Sequence, residues 1–313
     1  ANLTSAGSWD GYVWKLDAAG DFVWARRVGS TDVDRVTAIA VDALNNVYLT
    51  GEFSGTVDFD PGSATTTSRS AGDLDLFAWK LDSAGNFLWV RAAGGTGTDR
   101  GSGIALDALG NLILAGSFEG TADFDPSAST ANVSSSGGTD VFTWKLSADG
   151  NLLWIRTAGG SADDSTDGGV SVGSDGSMIT GGRFENTISF LPGVARWDFT
   201  SVGGEDAFIW KLDAAGNFVW AHGYGSALND GTRGLAVDSL GNLLASAYFG
   251  GTVDLDPSGA TYSIMSGGDI DAVFFRWNAS VASAPYAVVV GATKMSEDQP
   301  SSPSIVVRSA AFD

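Results

Sequence analysis

The stretch Asp75-Leu76-Phe77-Ala78-Trp79-Lys80-Leu81-Asp82-Ser83-Ala84-Gly85-Asn86-Phe87-Leu88-Trp89 decides the fold, because the chain repeats it. Close copies begin at Asp10, Asp140 and Asp206, and a worn one, DAVFFRW, runs from Asp271 to Trp277. Successive copies lie 65, 65, 66 and 65 residues apart. Phe53, Phe118, Phe184 and Phe249 keep the same beat, and four of the five lysines (Lys15, Lys80, Lys145, Lys211) hold one repeat position. A fixed period of this length marks stacked supersecondary units that share a core.

Working outward within one unit, from Asp99 to Arg156, four strands are predicted. The first is Gly103–Asp107, the second Asn111–Phe118, the third Val141–Leu146 and the fourth Asn151–Arg156. The first pair and the second pair are each joined by a turn ending in Gly-Asn, where Gly supplies the positive φ of a tight hairpin. Between the second and third strands lies a polar excursion, Thr121 to Thr139, that carries Asp-Phe-Asp-Pro. Segments such as Phe87-Leu88-Trp89-Val90 are apolar on both faces, as a sheet wedged between two others requires. The expected fold is therefore all-β: a β-propeller of four-stranded antiparallel blades, with four repeats of 65–66 residues plus partial units at the ends, giving four or five blades. An open β-solenoid is the alternative, since about 40–50 residues is the commoner blade length.

The pattern D-x-F-x-W-K-L-D-x-x-G-N-x-x-W, then G-G-x-x-x-D, then I-A-x-D-x-x-G-N-x-x-x-x-G-x-F, resembles the bacterial β-propeller repeat called SBBP. The resemblance covers roughly residues 8 to 278 and implies a propeller in an exported or cell-surface bacterial protein, with no catalytic residues to carry over. The third unit departs from it: Gly173 replaces the Asp of the first hairpin, and Ser189 and Leu191 replace the later aspartates.

The ends do not match the repeat. Tyr12–Leu16 and Phe22–Trp24 are a third and a fourth strand with no first or second before them, and no recognisable fourth strand follows Ala272–Trp277. Residues 1–278 are read as the repeat domain and 279–313 as a tail with two β-prone runs, Tyr286–Val290 and Ser304–Arg308, around a linker-like Gln299–Pro303. The tail either completes a blade with the N-terminal pair or adds a strand to another copy, which would build homo-oligomers or filaments.

Composition narrows the function. The 313 residues carry 32 Asp against 5 Glu, a turn-rich and helix-poor balance, and a net charge of −20. That charge repels nucleic acid and anionic lipid, so neither is an expected partner. Without cysteine there is no disulfide framework, thiolate metal site or cysteine nucleophile. No apolar run is long enough to span a membrane as a helix. The start at Ala1, without Met, is read as the product of signal-peptide removal, which fits a secreted or bacterial cell-surface protein.

Candidate chemistry lies in the aspartates. The Asp-x-Asp-Pro pairs Asp58/Asp60, Asp123/Asp125 and Asp254/Asp256 each project two carboxylates to one side of a strand, a possible calcium site, though Asp before Pro is also an ordinary turn. Asp34, Asp99 and Asp230 precede the first strands, either capping a turn or facing a ligand at a channel mouth. Asp163, Asp164 and Asp167 break the repeat. The recurring Asp of D-x-F-x-W and the Lys just past the Trp are expected to form a structural pair, and Asp42, Asp107 or Asp238 of a neighbouring strand is a candidate carboxylate partner for a buried lysine. The lone His222 builds no zinc site. Mid-strand placement puts Trp14, Trp79, Trp144, Trp210 and Trp24, Trp89, Trp154, Trp220 in the core, leaving Trp9 and Trp197 as candidate exposed aromatics.

Two function classes follow. One is a noncatalytic extracellular or cell-surface propeller serving as a structural or interaction module, self-assembling through its ends. The other is a carbohydrate-active propeller, a lectin or a glycoside hydrolase, acting on surface glycans. A catalytic site needs asymmetry among the repeats, and only Asp163–Asp167 approaches it.

Overall fold

A computed structural model describes residues 2–191, 197–256 and 261–278, and the backbone of 287–293. Among the described residues the regular elements are β-strands, and no α-helix occurs. The chain forms two compact units, Ala1–Thr157 and Ala158–Asp313.

The first unit opens with a two-stranded sheet, β1 (Gly11–Leu16) against β2 (Phe22–Val28). A four-stranded antiparallel sheet follows, β3 (Asp34–Val41), β4 (Val47–Phe53), β7 (Asp75–Leu81) and β8 (Phe87–Gly95), with β5 (Thr56–Asp58) and β6 (Thr67–Arg69) as a ribbon inside the excursion. The next repeat is β9 (Arg100–Leu106), β10 (Leu112–Asp123), β11 (Asn132–Leu146) and β12 (Leu152–Gly160), where the ribbon is continuous with the long middle strands.

In the second unit the third repeat has its first strand broken into β13 (Asp164–Ser165) and β14 (Val170–Val172), followed by β15 (Met178–Ser189), β16 (Asp198–Leu212) and β17 (Phe218–Tyr224). The fourth is β18 (Gly231–Val237), β19 (Leu243–Phe249), the ribbon β20 (Thr252–Asp254) and β21 (Ser263–Met265), β22 (Asp271–Trp277) and β23 (Ala287–Thr293). Here the strand count from sequence is corrected. β23 comes from the tail and pairs antiparallel with β22, so it fills the fourth-strand place in its own sheet. The other tail run, Ser304–Arg308, lies outside the described residues. The sheets are open, and no strand pairing among the described residues closes them.

Local chemistry sets the hairpins. In each D-x-x-G-N turn the Asp Oδ1 accepts the N–H groups two and four residues on, as Asp82 does from Ala84 and Asn86, both at 2.8 Å. Asn86 Nδ2 then donates to Asp82 Oδ2 at 2.8 Å. The turn needs a positive φ, met by Gly85 at 76°; in the first repeat Asn45 takes that place at 62°.

The core follows the repeat. Phe59, carried by the excursion, packs on Trp79 with ring centroids 6.1 Å apart; Phe124 meets Trp144 at 5.9 Å and Phe190 meets Trp210 at 5.8 Å. The excursion is thus a cap that folds an aromatic ring over the strand-three tryptophan. β4 is buried at every position, VYLTGEF, which confirms a sheet covered on both faces.

Successive sheets of the first unit are clasped by side chains. Lys15 Nζ and Trp24 Nε1 donate to the Ser83 carbonyl at 2.9 and 3.2 Å, and Arg26 Nε donates to that of Gly85 at 2.7 Å. One repeat later Lys80 and Trp89 donate to the Ala148 carbonyl at 3.1 and 3.3 Å, and Arg91 to Gly150 at 2.9 Å. Each clasp satisfies turn carbonyls that a loop would otherwise leave to water.

Candidate interaction surface

The aspartates of Asp-x-Asp-Pro act within their own turns. Asp58 Oδ1 accepts the N–H of Asp60 at 3.1 Å and of Thr66 at 2.8 Å, and Asp60 Oδ1 accepts that of Gly62 at 2.8 Å. Asp123 does the same for Asp125 and Ala131 at 3.0 and 2.8 Å, Asp125 for Ser127 at 2.9 Å, and Asp254 for Asp256 and Tyr262 at 3.0 and 2.8 Å. Among the described residues no group of three or more His, Cys, Asp or Glu is arranged to hold a metal ion. In the second unit Asp254 and Asp256 line a recess of about 280 Å³ together with Asp206.

The second acidic set is structural in form. Asp99 is buried and accepts N–H bonds from Gly95 at 2.8 Å and Glu119 at 3.2 Å, tying the entry of β9 to the middle of β10. Asp34 binds Ser30 and Ser54 in the same way, and Asp230 binds Ser226 and Gly250. Beside each stands the Asp of D-x-F-x-W. That residue is not the lysine's partner, which corrects the sequence expectation. It accepts the N–H four residues earlier: Asp75 from Ala71 at 3.1 Å, Asp206 from Val202 at 3.1 Å, Asp271 from Gly267 at 2.7 Å. A Cβ on Gly94 would sit 2.8 Å from both Asp75 Oδ1 and Asp99 Oδ2, so only glycine fits between the two carboxyls. Burial, with the neighbouring carboxylate adding to it, pushes Asp75 up to about 6; burial does the same to Asp99 and Asp206.

The expected lysine pairing is realised once in full. Lys145 Nζ lies 2.9 Å from Asp107 Oδ2, both side chains buried, whereas Lys15 and Lys80 use backbone carbonyls. Asp107 is correspondingly held below the ordinary carboxylate range, its hydrogen bonds from Asn111 and Lys145 outweighing the effect of burial. At the fourth sheet Arg276 comes within 3.6 Å of Asp238.

The irregular third repeat is a network of ion pairs. Asp167 Oδ2 meets Arg183 at 2.9 Å and Arg233 at 3.0 Å, and Arg183 also pairs with Glu205. Asp164 is buried in β13, and Asp163 accepts the Glu185 N–H at its carbonyl. Asp175 replaces the lost hairpin Asp by accepting from Ser177 N and Oγ. His222 occupies the clasp-arginine position between Trp220 and Trp277, and burial drives it down to about 4.

The aromatic assignment holds in part: Trp24 is buried, while Trp89, Trp154 and Trp220 at the same repeat position are half-buried. Trp79, Trp144 and Trp210 are fully buried, but Trp14 at the same position is 62% exposed. Trp9 is exposed as expected and carries Arg35 over its ring at 4.5 Å, while Trp197 is half-buried against Phe218. Trp9, Tyr12, Trp14, Val36, Ile39 and Leu49 line a mainly apolar cleft of about 570 Å³ between β1 and β3. Sequence reasoning missed this surface because its residues match those of the buried repeats.

Fold and surface together define an all-β repeat protein that fits the β-propeller type in general terms. No family model matches the chain. Regulatory protein FlaEY of Caulobacter vibrioides is 28% identical over 226 residues, 71% of this chain and 23% of that protein. The uncharacterized WD repeat-containing protein L264 of Acanthamoeba polyphaga mimivirus is 26% identical over 186 residues, 56% of this chain and 13% of its own length. The chain therefore spans less than a quarter of either relative.

Proposed function

We propose that this chain is a noncatalytic β-propeller segment, of the SBBP type, whose role is to hold other proteins. The observation that carries this reading is the use made of its polar residues. Lysine, arginine and aspartate recur in sheet after sheet as clasps, turn locks and ion pairs, while mainly apolar clefts lie along β1 and β3, about 570 Å³, and along β19 and β22, about 590 Å³. Catalysis calls for unlike acid and base groups in one pocket, and in the asymmetric Asp163–Asp167 stretch Asp167 is engaged by Arg183 and Arg233 instead. The relatives' names, a regulatory protein and a WD-repeat protein, agree with an interaction role.

The repeats are read as blades of a four- or five-bladed propeller, acting outside the cell or at the bacterial surface. Because β23 completes its own sheet, the reading favours a discrete particle over strand-exchanged filaments. Negative-stain images of the purified protein test it. Ring-shaped particles with four or five lobes are expected; straight stacks or fibres would overturn it.

A further inference from the structure

The 280 Å³ recess at Asp206 lies wholly within the second unit, between its third and fourth repeats. Carboxyls and rings share its walls: Asp206 of β16, Asp254 of β20 and the nearby Asp256, beside Phe184, Phe199 and Tyr224. No basic side chain stands among the described lining residues. Two of the rings break the repeat. Phe199 sits opposite Ile188 in its ribbon, the place held by Ser68 in the first ribbon and Val133 in the second. Tyr224, opposite Ala207, stands where Ala93 stands opposite Leu76. The Phe199 ring lies 3.1 Å from where a Cβ on Gly223 would be, and Ala92 is the equivalent residue of the earlier sheet. The aromatic lining is therefore particular to this repeat.

An uncompensated charge lies in the same place. Asp206 is 2% exposed; its Oδ2 accepts the Val202 N–H at 3.1 Å, while its Oδ1 is buried with no partner. Burial, with repulsion from Asp230 added to it, pushes the carboxyl up to about 6. An ordered water would satisfy the hydrogen bond and leave the charge unanswered. Asp254 Oδ1, holding the N–H groups of Asp256 and Tyr262, fixes a second and exposed carboxyl beside the first. The chemistry favours an organic cation. Among the described residues no three carboxyls are arranged to hold a metal ion. A guanidinium is a planar fork that takes both oxygens of one carboxylate, and Asp206 leaves one uncommitted. An ammonium carries three donors that single oxygens on separate elements can share. Its alkyl stem packs on aromatic rings, whose faces also attract the charge.

We propose that this recess binds a primary alkylammonium group, its charge held by Asp206 Oδ1 and the Asp254 carboxylate and its methylenes laid against Phe199. A lysine side chain and a free alkylamine share this chemistry. The site goes beyond the reading of the chain as an interaction module and is independent of how the repeats assemble. Asp75 has the same orphaned Oδ1, but Ser68, Ala92 and Ala93 replace the residues that shape the recess, so no equivalent ammonium site is expected there.

The probes are pentylammonium chloride and Nα-acetyl-lysine methylamide, titrated calorimetrically into the intact protein at fixed ionic strength. Saturable one-site binding is expected, with pentanol and tetraethylammonium failing to bind. Asp206→Asn should weaken it by about tenfold or more, the loss of one charge-assisted hydrogen bond. Asp254→Asn keeps the Oδ1 acceptor of its turn and therefore the fold, and it should weaken binding in the same direction. Asp75→Asn, at the equivalent position of the second repeat, should leave binding unchanged. Tighter binding of the lysine derivative than of pentylammonium would mark the ligand as a side chain of a polypeptide, and the reverse order as a free amine; either supports the site. The proposal is overturned by no saturable binding of either probe, by equal binding of pentanol, or by full affinity in a folded Asp254→Asn protein. Calcium binding lost in Asp254→Asn, with neither amine bound, would also overturn it.

Discussion

Phe59 and Trp79 pack edge to face, 6.1 Å between ring centroids, although they stand 20 positions apart in the chain with a mostly polar loop between them. The excursion that makes these repeats longer than ordinary blades exists to deliver that ring. The polar residues around it are turn chemistry, and the phenylalanine at its centre belongs to the core. Removing either ring should leave a cavity in a site that cannot collapse. Phe59→Ala or Trp79→Ala is expected to cost about 3–5 kcal/mol in denaturant unfolding, and Trp14→Ala, at the exposed copy, within about 0.5 kcal/mol.

The Lys145–Asp107 pair separates breaking an ion pair from replacing it. Asp107→Ala strands a buried ammonium and should destabilise by about 3–5 kcal/mol. Lys145→Met with Asp107→Asn, which keeps the turn acceptor, should recover most of that loss in a double-mutant cycle. A null effect of Asp107→Ala would mean the lysine reaches water.

Stability should depend on pH in an unusual direction. Asp75, Asp99 and Asp206 stand near 6 in the folded state against an ordinary 3.8, and Asp34 and Asp230 are also raised by burial. The folded chain therefore holds protons that the unfolded chain has released. The stability they contribute is complete below about pH 4 and is lost as pH rises through 6. His222, lowered from 6.5 to about 4, works oppositely, losing its contribution as pH falls through that window, but it is one group against five. The turn aspartates Asp42, Asp82, Asp107, Asp213 and Asp238 are held low and lose theirs only below the ordinary carboxylate range. Melting temperature should thus be higher near pH 5 than near pH 7.5, and Asp99→Asn should flatten the difference.

The Asp-x-Asp-Pro carboxylates are expected to work as turn locks without calcium. Excess EDTA should leave the melting temperature unchanged, and Asp58→Ala, which frees two N–H groups, should cost about 1–2 kcal/mol. A clear rise in melting temperature with added calcium, lost in Asp58→Ala, would restore the metal reading.

Much of this was legible in the residues. The beat of D-x-F-x-W-K-L fixes where each strand starts, and D-x-x-G-N writes the hairpin turn in full. The misreadings have physical causes. Asp75 and Lys80 are five residues apart on one strand, so they face opposite sides and cannot pair with each other. The tail run Tyr286–Val290 reads as β-prone, but its pairing with β22 was not legible because it shares no pattern with the fourth strands. The exposure of Trp14 was invisible because burial there is conferred by a neighbouring strand, and no property of Trp14 reports whether that strand is present.

The account turns on β1 being a repeat third strand that, among the described residues, pairs along one edge alone. Amide hydrogen exchange of the intact protein, comparing residues 11–16 with 76–81, 141–146 and 207–212, tests this most directly. Exchange should be fast in the first segment and slow in the other three. Equal protection in all four would contradict it.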